Sequence, residues 1–234
     1  MGMRARHPLA LLAAGALLVL GGCTEEAAPG AERETPEDVL AEAKQTLDET
    51  SGVRLVLDAD ELPTGVAAVS GAEGVGTHAP AFDGTLDVTL GGSEFEVPVI
   101  AVDGTVYAQV PLVPGWQDVD PAEYGAPDPA RLMSTDAGFS SLLTETGAVE
   151  EGESVRGGEN NEEVLTEYTG TVAGDVVGNV IPSASGEFDA TYTITDGGEL
   201  RTAVLTGVFY PGTDPMTYTI EISDYGSEPD ISAP

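Results

Sequence analysis

The feature that most constrains this chain is a two-residue period. Met216, Tyr218, Ile220 and Ile222 alternate with Thr217, Thr219 and Glu221, the pattern of a strand with one face in a core and the other in water. The same period recurs upstream. Leu86, Val88 and Leu90 share one face of a segment over 85–90, opposite Thr85, Asp87 and Thr89. Gly91-Gly92 turns the chain, and Phe95, Val97 and Val99 line one face of the return. Asp103-Gly104 is a strong hairpin signal that leads into a further strand over 106–110. Strands are also predicted over 53–59, 164–172, 190–194 and 200–210, the last two joined by a turn at Asp196-Gly197-Gly198. Such short connections make a meander of antiparallel strands.

Helices are few. Thr35 is placed to cap one, with Pro36 at its first position and Asp38 three residues after the cap. Val39, Leu40, Ala43 and Leu47 then recur at helical spacing, and Ser51-Gly52 ends the run. Two short helices are predicted over 130–143, opened by Asp128-Pro129 and separated at Gly138, and another over 175–181. Residues 62–80 are Gly-rich without a clear period and read as a long loop or irregular edge. Pro111 to Pro129 reads as a loop with Trp116 as an aromatic plug. The sum is seven to nine mostly antiparallel strands with helices over one sheet face, an α+β class.

The N-terminus carries an address. Arg4 and Arg6 precede an apolar run from Leu9 to Leu20, and Leu20-Gly21-Gly22-Cys23 follows at once. A charged start, a short apolar core and small residues before a cysteine predict a lipoprotein signal over 1–22, cut before Cys23. The Cys23 thiol is then the acceptor of a diacylglyceryl group, the lipid anchor. It is the chain's one cysteine, so no intrachain disulfide competes for it. Residues 23–34 are polar and aperiodic, a flexible tether, and 35–226 make one domain with a polar tail over 227–234. No later apolar run reaches the ~18 residues of a spanning helix, so acyl chains at Cys23 supply the membrane contact. The expected location is the outer face of the plasma membrane, in the cell envelope.

Charge narrows the partners. Arg4 and Arg6 leave with the signal, so six basic residues remain against 41 acidic ones, a formal charge of −35. A surface of this sign repels nucleic acid and anionic headgroups. Catalytic constellations are sparse: no G-x-S-x-G elbow, no phosphate loop, no His/Cys metal set, and one histidine after the signal, His78, which reads as surface decoration. Carboxylate pairs such as Glu150-Glu151 and Glu162-Glu163 read as a solvated face rather than a hydrolytic pair. The chain is therefore expected not to be an enzyme and to need neither cofactor nor metal. Periodicity leaves open whether the apolar sheet face closes on a packed core or leaves a cavity.

The stretch Leu90-Gly91-Gly92-Ser93-Glu94-Phe95-Glu96-Val97, followed by Val102-Asp103-Gly104-Thr105-Val106-Tyr107-Ala108, resembles the LppX/LprAFG family of mycobacterial-type lipoproteins, especially its LprG branch. Trp116 with Asp118, then Asp128-Pro129-Ala130, Leu132, Asp136, Gly138 and Leu142-Leu143, resembles the family's W-x-D loop and D-P-A helix start. The resemblance implies a half-barrel: a strongly bent antiparallel sheet with helices on its concave side enclosing an apolar cavity. It implies a ligand, a di- or triacylated lipid or lipoglycan carried across the cell envelope, in some members with a major-facilitator transporter. Leu86 matches the family's cavity-lining position, with Val88 and Leu90 its neighbours by alternation and Phe95, Val97 and Val99 on the adjacent strand. A cargo-free adaptor that docks on an envelope transporter or enzyme is the other reading.

Overall fold

The computed structural model describes residues 34–60, 62–124, 126–158 and 161–234; the predicted signal and Cys23 lie outside them. Helix α1 (Pro36–Glu49) leads into β1 (Gly52–Asp60), β2 (Ala68–Thr77), β3 (Ala81–Leu90), β4 (Ser93–Val102), β5 (Thr105–Ala108) and β6 (Gln117–Val119). Two 3-10 turns (Pro121–Tyr124 and Pro129–Met133) and the short α2 (Ser141–Thr144) connect to β7 (Gly147–Gly157) and β8 (Glu163–Ala173). After α3 (Gly174–Val177) come β9 (Ser185–Thr195), β10 (Leu200–Val208) and β11 (Met216–Ser223).

All eleven strands form one sheet in the order β6-β5-β4-β3-β2-β1-β11-β10-β9-β8-β7. Two meanders join where the last strand pairs antiparallel with the first, Leu55 opposite Ile222 and Leu57 opposite Ile220. The sheet does not close, and β6 and β7 are its edges.

Local chemistry accounts for the helix that opens the domain. The Thr35 hydroxyl accepts from the Asp38 amide at 3.2 Å, while the Asp38 carboxylate accepts from the Thr35 amide at 3.0 Å, a reciprocal capping box. The backbone and hydroxyl donors of Thr35 hold the Asp38 carboxyl below its ordinary range. At the other end no basic residue sits in the last turn. Instead His78 lies with Nε2 2.9 Å from the Leu47 carbonyl oxygen. A carbonyl only accepts, so Nε2 carries the proton. The histidine expected as surface decoration thus closes the helix, and its own amide donates to the Ser51 carbonyl at 3.1 Å.

Leu40, Ala43 and Leu47 of α1 are buried in one cluster with Leu142, Leu143, Val177, Tyr192, Ala203, Leu205 and Ile222. The helices therefore pack on one and the same sheet face. The heart of that cluster is aromatic, with Phe209 4.7 Å from both Phe188 and Tyr218 between ring centroids, in tilted and edge-on arrangements that aromatic quadrupoles favour. A polar clamp fixes α1 to the segment before α2: Ser140 Oγ donates to Asp48 at 2.6 Å, and Lys44, paired with Asp48, donates to the Thr135 carbonyl at 2.9 Å.

Several expectations are corrected. Eleven strands replace the seven to nine predicted. Within the stretch read as a long loop or irregular edge over 62–80, Ala68–Thr77 is the full interior strand β2, and the loop over 111–129 contains β6 and a 3-10 turn. Trp116 is half-buried and stands outside both apolar clusters, so it is not a core plug. Strand β7 had no periodic signal because it is exposed on both faces along most of its length.

Candidate functional site

Direct cross-strand partners place their side chains on the same face of a sheet, so the register builds the site row by row. One row runs Ile220 (β11), Leu57 (β1), Ala72 (β2), Leu86 (β3), Val97 (β4). The row beside it runs Ile222, Leu55, Gly74, Gly84, Val99. A third places Val69 opposite Val88 and Val88 opposite Phe95. The face is apolar across five strands.

Burial falls along it. At one end Val53, Gly76, Phe82 and Ala101 form a row of fully covered residues, roofed by the 3-10 turn Pro129–Met133, whose Ala130 joins this cluster and whose Met133 faces Gly76. In the middle Ile220, Leu57, Ala72 and Leu86 are only half-buried, and so are Val88, Phe95 and Val69 beyond them. At the far end Leu90 is 58% exposed. The result is an apolar strip of sheet, a trough in burial, covered at the 3-10 turn and exposed toward the β3–β4 turn.

Small residues shape the closed end. A Cβ on Gly74 or Gly84 would meet the Phe82 ring at 2.5 and 2.7 Å, so glycine there lets the ring lie flat on the sheet. Polar anchoring is spare. Tyr218 reaches over the small Ala59, its partner on β1, to donate to the Val69 carbonyl at 2.7 Å, and its hydroxyl lies 2.9 Å from that of Tyr210. Burial first, then the Tyr210 hydroxyl, pushes the Tyr218 phenol far above its ordinary range.

The opposite face of the same strands is acidic. Asp87 stands directly across from Glu96, with Asp58, Glu73 and Glu221 exposed nearby and Arg54 paired to Glu73. Among the described residues no group of three or more His, Cys, Asp or Glu side chains is placed to hold a metal ion, and no helix is long and apolar enough to cross a membrane.

Of the residues predicted to line a cavity, Leu86, Val88 and Phe95 lie half-buried in the trough. Val97 and Val99 are packed away at 8% and 3% exposure, and Leu90 sits at the open rim. Leu55, Leu57, Ala72 and Ile220 complete the surface and were not singled out from sequence. Leu57 and Ile220 had a readable period; Ala72 did not, because glycines replace its apolar neighbours and a bulge between Val69 and Gly71 breaks the alternation. A separate cleft of about 490 Å³ lies between the segments 120–138 and 178–182, lined by Asp128, Arg131 and Asn179 together with Leu132 and Val180. None of the six predicted lining residues borders it.

The structure is thus an open antiparallel sheet with helices and a half-buried run of apolar side chains on one face. The family model described as LppX_LprAFG lipoprotein matches residues 35–231, and the chain belongs to that family. The lipoarabinomannan carrier protein LprG of Mycobacterium tuberculosis (strain H37Rv) is 26% identical over 202 residues, 83% of each chain. That of Mycobacterium leprae is 29% identical over 174 residues, 71% of this chain and 70% of its own. Among solved structures, LprF from Mycobacterium bovis superposes with a TM-score of 0.69 at 16% identity, covering 85% of this chain and 96% of its own. LppX from Mycobacterium tuberculosis gives 0.58 at 17%, covering 83% and 98%. These two show the fold.

Proposed function

We propose that this lipoprotein carries acylated lipid: two or three acyl chains lie in the trough around Leu57, Ala72, Leu86 and Val88, while the headgroup stays outside. The observation that carries this reading is the contiguous run of half-buried apolar side chains across five strands. Sequence relatives named as lipoarabinomannan carriers support it. The driving force is burial, worth about 0.8 kcal/mol for each methylene removed from water, so a long chain needs an apolar surface and little else. In the loaded state the sheet bends into a half-barrel with the helices on its concave side, and the trough becomes an enclosed cavity. Diacylated or triacylated glycolipids and lipoglycans are the ligands of this proposal.

Acylation of Cys23 would hold the carrier at the outer face of the plasma membrane, beside the bilayer that supplies its cargo. From there it would pass lipid into the envelope, with a major-facilitator transporter as the partner of that exchange. Organic extraction of the protein purified from its native host, followed by mass spectrometry, tests the reading. Recovery of diacyl or triacyl lipid in near-stoichiometric amount is expected. Recovery of none would leave the cargo-free adaptor in its place.

A further inference from the structure

Between Asp103 and Asp118 the chain carries no charged residue, in a protein whose formal net charge is −33. The centre of this neutral stretch is the connection from β5 to β6. Its apex is a tight turn: the Val113 amide donates to the Val110 carbonyl at 3.1 Å, with Pro111 and Leu112 between. Leu112 has φ +69°. Proline followed by a left-handed residue is the signature of a type II turn, where glycine or asparagine is the inexpensive choice for the second position. Here the position holds leucine, fully exposed, and Val113 beside it is 45% exposed. An apolar side chain in a strained backbone conformation, left uncovered by the described residues, points to an interaction beyond them.

The place of the loop says what it meets. Strand β5 runs antiparallel to β4, with Ala108 opposite Val99 and the Gln109 amide donating to the Pro98 carbonyl at 3.0 Å. The chain therefore leaves β5 toward the start of β4, and Val110 packs in the same cluster as Phe95, Leu86 and Val88. The β5–β6 loop thus stands at the same end of the sheet as the β3–β4 turn, where the trough opens and Leu90 is exposed. Trp116, the chain's one tryptophan, stands half-buried at the base of the loop.

We infer that the loop Val110–Trp116 is a membrane-dipping element, which inserts Leu112 and Val113 into the interface of a zwitterionic bilayer and brings the open end of the trough against it. Apolar side chains at a tip with an aromatic at the base match the depth profile of a bilayer interface. Absence of charge along the loop avoids the cost of carrying carboxylates into that zone, and the acidic remainder of the protein disfavours an anionic surface. The inference draws its purpose from the carrier reading, but its physical content, contact between loop and bilayer, is independent of cargo.

Trp116 makes the test possible without a label. The full-length protein would be associated with phosphatidylcholine vesicles containing lipid brominated near the headgroup, and its tryptophan emission compared with that in plain vesicles. Quenching and a blue shift are expected for the native chain, and loss of both in the double variant Leu112→Glu, Val113→Glu, whose side chains point into solvent and leave the fold intact by circular dichroism. Extracted lipid is measured on both proteins. Absence of quenching in the native chain, or equal quenching in both, would overturn the inference. Loss of quenching together with loss of cargo would overturn it too, because the loop would then serve the trough rather than the bilayer. Loss of quenching with no acyl lipid on either protein would sustain the inference and remove the carrier reading.

Discussion

Phe82 occupies the space that a side chain on Gly74 would need: its Cζ lies 2.5 Å from where a Cβ on that glycine would stand. The two residues sit on neighbouring strands, and the closed end of the trough exists because one has no side chain and the other has a flat one. Replacing Gly74 by valine would force the ring off the sheet and overpack a well-filled corner. A loss of about 1–3 kcal/mol is expected, read as a lower urea midpoint with an unchanged denaturant slope.

Leu86 offers the converse experiment. It is half-buried in the middle of the trough, where on the carrier reading added bulk would occupy ligand space rather than core. Leu86→Trp is expected to keep the native circular dichroism spectrum and thermal midpoint while the amount of extractable acyl lipid falls sharply. Full retention of lipid in that variant would place the cargo elsewhere.

Helix α1 ends without a basic residue, and His78 holds its Leu47 carbonyl. The variant His78→Ala leaves that acceptor to water and is expected to cost about 1 kcal/mol. Thermal unfolding at neutral pH measures it.

Buried phenols make the fold sensitive to alkali. Burial pushes the Tyr192 phenol up to about 12, opposed by the hydrogen bond with Thr146, and burial also raises Tyr218 and Tyr225. An acid whose folded pKa lies above its unfolded value near 10 favours folding below that value. This contribution fades as pH rises past 10 and is gone above the folded pKa. Stability is therefore expected to be flat with respect to these groups up to about pH 9 and to fall steeply above 10. Tyr192→Phe removes one titrating group and should make the fall shallower in urea titrations between pH 9 and 12.

The turn at Leu112 separates stability from use. Left-handed backbone costs an ordinary residue about 1–2 kcal/mol, whereas glycine costs about 0.5–1 kcal/mol in chain entropy. Leu112→Gly is thus expected to raise stability by up to about 1 kcal/mol and to lengthen neither strand. Chemical denaturation reads the gain. A fall in stability would mean that Leu112 makes contacts within the fold.

The sequence displayed those elements whose side chains alternate cleanly. Strands β3, β4, β10 and β11, helix α1 and its Thr35 cap, and the breaks at Gly138 and Asp196-Gly197-Gly198 were legible because burial on one face imposes a period. Strand β2 was not, since Gly74 and Gly76 sit where apolar residues would have marked the apolar face. Strand β7 was not, since its residues are exposed along most of its length. Leu86, Val88 and Phe95 could be assigned to one face, but their partial exposure depends on where the 3-10 turn Pro129–Met133 stops, a tertiary fact that no local pattern records. The pairing of β1 with β11, which joins Leu57 to Ile220, links residues 163 positions apart in the numbering and was equally invisible.

The acidic margin of the sheet has a consequence of its own. Strand β7 is a long free edge, and Glu150, Glu151 and Glu153 project from it into solvent. An unpaired edge is a template for another strand. Held at a surface by the acylation proposed for Cys23, the protein would meet its own copies at far higher local concentration than in solution, and in matched orientation. Under such crowding the like charges along β7 would act as a fender: neighbouring molecules would slide past one another, and each sheet would end where its own chain ends.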